Sequence, residues 1–68
     1  MMIKRITEKD LRPLVMALGP EYSLHGAYGG WGLHRVAGEG SVNVFGGYQP
    51  ARVFLEQLRA FRIGRAAS

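Results

Sequence analysis

Apolar residues recur along this 68-residue chain with two different periods, and the changes of period divide it into five elements. Leu11, Leu14, Val15 and Leu18 fall at i, i+3, i+4 and i+7, which places branched apolar side chains on one stripe of a first helix. Thr7 followed by Asp10 resembles a capping box, and Ile6 with Leu11 could form its hydrophobic staple. Pro13 would then lie in the second turn, where a proline forfeits a backbone bond and crowds the carbonyl four residues back. Asp10 is therefore the expected cap, and Gly19-Pro20 the expected stop.

The period then shortens to two. Residues 22–28 and 31–37 flank Gly29-Gly30, which reads as a tight two-residue hairpin turn with positive φ. That turn would set Tyr28 opposite Trp31, Gly26 opposite Leu33 and Leu24 opposite Arg35, with His25 across from His34 on the reverse face. A third strand, residues 41–45, follows Gly38-Glu39-Gly40. A loop of two or four residues sets Val42 and Val44 beside Arg35 and Leu33, whereas a loop of three swaps the faces of that strand. The first register predicts a core face of Tyr22, Leu24, Leu33, Val42 and Val44, with Asn43 and Phe45 looking away.

Pro50 suits the first turn of a last helix whose apolar stripe is Ala51, Phe54, Leu55, Leu58 and Phe61, with Gly64 as its stop and residues 66–68 fraying. Its other face is charged. Arg52, Glu56 and Arg59 are spaced for i+4 and i+3 ion pairs, and Arg62 and Arg65 load positive charge where the helix dipole favours it. The predicted fold is α+β, in the order α-β-β-β-α, with a three-stranded antiparallel meander and both helices packed on one face.

Composition narrows what such a domain can do. Sixty-eight residues allow one domain, residues 1–68, and without cysteine there is no disulfide and no thiolate zinc site. No apolar run approaches the roughly 20 residues that span a bilayer, and Met1-Met2-Ile3-Lys4-Arg5 lacks the apolar stretch of a secretory signal, so a cytoplasmic setting is expected. Nine basic against five acidic residues give a net charge of +4 and a pI near 10.1. A field of that sign attracts nucleic acid or an acidic protein, and it also serves solubility.

Three groups of residues could bind something. His25, His34 and Asn43 form a polar row on the outer sheet face, and Phe45 on the same face would be exposed unless a partner or a second copy covered it. Two imidazoles fall short of the three protein ligands of a catalytic zinc, so the row is expected to be a solvated strand pair without metal or cofactor. Arginines supply a basic footprint of Lys4, Arg5 and Lys9 near the start, Arg35 in the sheet, and Arg52, Arg59, Arg62 and Arg65 on the last helix. Gly26, Gly29, Gly30 and Gly32 cluster as well. They lie between strands with no lysine after them, and so read as turn and packing glycines instead of a phosphate loop.

The order Gly30-Trp31, Leu33-His34-Arg35, a glycine turn, a strand and Pro50-Ala51-Arg52 opening an amphipathic helix resembles small uncharacterised phage and prophage proteins over residues 22–62. That resemblance implies an accessory role through binding host or phage macromolecules, inhibitors of host defence among them. The helix, three strands, helix order also resembles the double-stranded RNA-binding fold shared by HicA-type toxins, whose glycine-serine-histidine strand motif cleaves RNA. Here Gly32-Leu33-His34 has no serine before the histidine, and Gln49-Pro50-Ala51 replaces the basic helix start of the RNA-binding fold.

The expectation is a non-enzymatic accessory module that binds a protein partner or dimerises, using His25, His34, Asn43 and Phe45. The alternative is nucleic-acid binding through Arg52, Arg59, Arg62 and Arg65. A ribonuclease of the HicA kind is a distant third.

Overall fold

A computed structural model of the chain describes residues 5–67; Lys4 of the basic footprint and Ser68 of the fraying tail lie outside them. The elements run α1 (Glu8–Met16), β1 (Tyr22–Ala27), β2 (Gly30–Ala37), β3 (Gly40–Asn43) and α2 (Ala51–Ala67), with the sheet ordered β1-β2-β3 and antiparallel throughout. This is the expected α-β-β-β-α arrangement. Its core is Leu11, Val15 and Leu18 from the first helical segment, Leu33 from the central strand, and Phe54 and Leu58 from α2, all buried. Both helices thus cover the same face of the sheet.

α1 is capped by Thr7 and not by Asp10. The Asp10 carboxylate accepts hydrogen bonds from the Thr7 backbone N–H at 2.9 Å and from its hydroxyl at 3.2 Å, and the N–H groups of Asp10 and Leu11 reach the Thr7 carbonyl at 3.0 and 3.2 Å. These contacts outweigh the defect at Pro13, which sits inside the helix. Lys9 and Pro13 both face solvent, so water can take up the Lys9 carbonyl that the proline leaves unbonded. Ile6 packs against the core, as the staple requires.

The regular helix stops at Met16, before Leu18. Leu18 is nonetheless buried, because a tighter turn bonds its N–H to Val15 at 3.0 Å and that of Gly19 to Met16 at 3.2 Å. Gly19, at φ 137°, then redirects the chain into β1.

The first hairpin differs from expectation by two residues. Tyr28 and Gly29 are the turn, at φ 54° and 73°, and the register pairs Ala27 with Gly30, Gly26 with Trp31, His25 with Gly32 and Leu24 with Leu33. Two positive φ values in a two-residue loop make a type I′ turn. Gly30 serves another purpose: a Cβ there would meet the Gln49 carbonyl oxygen at 2.6 Å, where Trp31 and Gln49 exchange backbone bonds of 2.8 and 2.9 Å. A shift of two preserves which face each side chain occupies. Leu24, Leu33 and Trp31 therefore still lie under the helices and the histidines away from them.

The second hairpin follows the two-residue alternative. Arg35 pairs with Val42, and the Val44 N–H reaches the Leu33 carbonyl at 2.8 Å. Val42, expected in the core, is exposed beside Arg35 at the far end of the sheet, beyond the cover of the helices. α2 also runs on through Gly64, its expected stop, to Ala67. A glycine ends a helix when it takes positive φ, and Gly64 does not.

Candidate functional site

The outer sheet face carries Ser23, His25, His34, Val36, Ser41 and Asn43 by strand alternation, and among the described residues no strand lysine or arginine. His25 and His34 come together, though diagonally: His25 lies opposite Gly32, and the two imidazole centroids are 4.0 Å apart with planes tilted by 30°. Each has a partner at its Nε2, Ser23 Oγ at 3.0 Å for His25 and Tyr48 Oη at 3.2 Å for His34. Half-burial, followed by the nearby His25, holds the His34 pKa below its ordinary value of 6.5. The stack is therefore built around neutral His34.

Asn43 pairs with His34 in the sheet, as expected, but its amide is spent on the fold. Nδ2 donates to the Gly47 carbonyl at 3.2 Å, pinning the loop that follows β3, while Oδ1 is buried with no hydrogen-bond partner among the described residues.

Phe45 does not belong to this face. Its ring packs edge-to-face on Phe54 at 5.8 Å and on Phe61 at 5.7 Å, among the residues that close the core. The cause is a break in the strand. Val44 keeps step with Leu33, but Trp31 pairs with Gln49, so three extra residues are looped out around Gly46, at φ 79°. That excursion swings Phe45 under the sheet. Tyr48 takes the outer position beside Gly32 that an unbroken strand would give to Phe45; a Cβ on Gly32 would meet the Tyr48 ring at 2.9 Å. The pair Gly46-Gly47, directly after Phe45, is the sequence signal for this break.

Tyr48 connects the histidines to Tyr28, whose ring lies edge-on to it at 5.6 Å. Four rings thus run contiguously across the outer face: His25, His34, Tyr48 and Tyr28. Tyr28 was expected opposite Trp31. Instead it is 94 % exposed, and Trp31 lies on the other face, against Gly26.

The arginines of α2 part company. Arg65 lies over the rings of Tyr22 and Phe61 at 5.2 and 5.8 Å and donates to the Leu18 carbonyl at 3.0 Å, tying the last turns of the helix to the end of the α1 segment. Arg52, Arg59 and Arg62 are exposed, and the expected pairing of Arg52 and Arg59 with Glu56 does not occur. Glu8–Arg12 is an i,i+4 salt bridge on α1, at 2.6 Å.

Among the described residues no group of three or more His, Cys, Asp or Glu side chains could hold a metal ion, and no helix is long and apolar enough to cross a membrane. Comparisons with protein-family models, curated proteins and solved structures find no match for this chain.

Proposed function

We propose that the protein is a non-enzymatic binding module whose partner is another protein, engaged through the outer sheet face at Tyr28, Tyr48, His34 and His25. The observation that carries this reading is Tyr28. A tyrosine at φ 54° with its ring in solvent touches the ring of Tyr48 but no buried core side chain, and a glycine or asparagine would occupy the position with less strain. Tyrosine is enriched where proteins bind proteins, because a large ring that orders only two side-chain torsions contributes contact area at low entropic cost. The rings of Tyr48 and His34 extend that contact inward from Tyr28. Among the described residues the strands present no lysine or arginine on that face, which favours a protein over a phosphate backbone.

The test is affinity capture from the native host with two baits, wild type and Tyr28→Asn. Wild type should retain a saturable protein partner that the variant loses at least tenfold, with both baits folded by circular dichroism. Identical captures would remove Tyr28 from the interface. The nucleic-acid reading retains Arg52, Arg59 and Arg62, exposed and without an ion pair among the described residues, and it requires binding of generic DNA or RNA that weakens steeply from low to moderate salt.

A further inference from the structure

At the turn end of the sheet, on the side away from the histidines, lies an open groove of about 770 Å³ bordered by Arg5, Ile6, the glycines of the first hairpin, Trp31, Ala51 and Arg52. Its charge is of one sign. Two guanidinium groups border it, no acidic side chain does, and neither arginine is paired with a carboxylate among the described residues. Leaving two arginines unneutralised around one hollow raises a positive potential there, which the hollow's low-dielectric walls concentrate. Ala51 and Arg52 are also the first residues of α2, so backbone N–H groups with no helical acceptor add to the same field.

We infer that this groove is a docking site for an acidic segment of a partner protein, with carboxylates seated between Arg5 and Arg52. Charge complementarity selects the sign, and the planar fork of arginine suits a carboxylate with two parallel hydrogen bonds. The number of cations selects the class. Two arginines match a short run of aspartate and glutamate, whereas a nucleic-acid strand brings a phosphate with every nucleotide and calls for a longer basic track. Ile6, Ala27 and Trp31 line the same hollow and offer apolar surface to the stems of such side chains. Gly30 lies at the edge of the hollow, where the absence of a side chain lets the Gln49 backbone approach.

This site stands on different residues from the ring row and is tested without knowledge of the natural partner. The probe is a six-residue peptide of alternating aspartate and glutamate, titrated into ¹⁵N-labelled protein, with a hexauridylate and inorganic pyrophosphate in parallel. The peptide is expected to shift the backbone signals of Gly26, Gly29, Gly30 and Arg52 saturably, and to bind at least tenfold more weakly in the Arg5→Gln, Arg52→Gln double variant. Arg59→Gln, on the same helix but outside the groove, should bind like wild type. Unchanged signals elsewhere establish that the double variant is folded. Absence of shifts at these amides, equal binding by the folded double variant, or tighter binding of hexauridylate or pyrophosphate than of the peptide would overturn the assignment.

Discussion

His34 shows how a single residue can be read twice. Its strand and face follow from alternation alone, but its chemistry follows from neighbours that alternation does not supply: the stacked His25 and the hydroxyl of Tyr48. Because the folded-state pKa is lowered, the unfolded chain binds the proton more readily, and folding stability rises with pH between the folded value and the ordinary 6.5. Chemical denaturation across pH should therefore show stability level above about pH 7.5, falling as pH drops through 6.5, and levelling below the folded value. His34→Gln should remove that slope; a slope that persists unchanged would place its origin elsewhere. Phe45 makes the opposite point. Strict alternation put it in solvent, and only the excursion at Gly46 explains why it faces Phe54 and Phe61. Phe45→Ala should cost about 3 kcal/mol, a cavity-scale loss measurable by thermal unfolding. A change below ~1 kcal/mol would contradict its place in the core.

At the level of elements, the period of the apolar pattern was sufficient for all five segments, and two departures arise where glycines serve a purpose other than the obvious one. Gly29-Gly30 looked like the turn because both residues tolerate positive φ. The structure uses that tolerance only at Gly29, gives the other turn position to Tyr28, and needs Gly30 for the close approach of Gln49. The register consequently slipped by two, which is why the faces stayed legible although the partners did not. Gly64 is a related case. It looked like a stop, yet the helix passes through it and the next residue, Arg65, donates to the Leu18 carbonyl. No atom lies near a Cβ built on Gly64, so Gly64→Ala should raise stability by roughly 0.5–1 kcal/mol through helix propensity alone. A destabilised variant would mean that Gly64 adopts the left-handed conformation of a helix end. The cap of α1 departs from expectation for a different reason: the bonds that Thr7 donates to the Asp10 carboxylate offset the proline penalty.

Taken as a whole, the molecule separates its structural rings from its exposed ones. Tyr22, Phe45, Phe54 and Phe61 meet edge-to-face beneath the sheet and are closed off by Arg65, whereas Tyr28, Tyr48, His34 and His25 run across the opposite side. The first set stabilises a domain that has no cysteine and, among the described residues, a core of six buried side chains. The second set is held in place by that domain, and its outermost member carries backbone strain. This division could not be read from the sequence, since it depends on the three-residue excursion that exchanges Phe45 for Tyr48.

Whether the outer rings serve contact instead of stability is tested most directly by thermal unfolding of Tyr28→Asn. The substitution creates an Asn-Gly pair suited to a type I′ turn, and relief of the left-handed tyrosine should raise stability by about 0.5–1 kcal/mol, a few degrees in Tm. A fall in Tm by several degrees would show that the Tyr28 ring supports the fold, and would contradict its assignment as a binding residue.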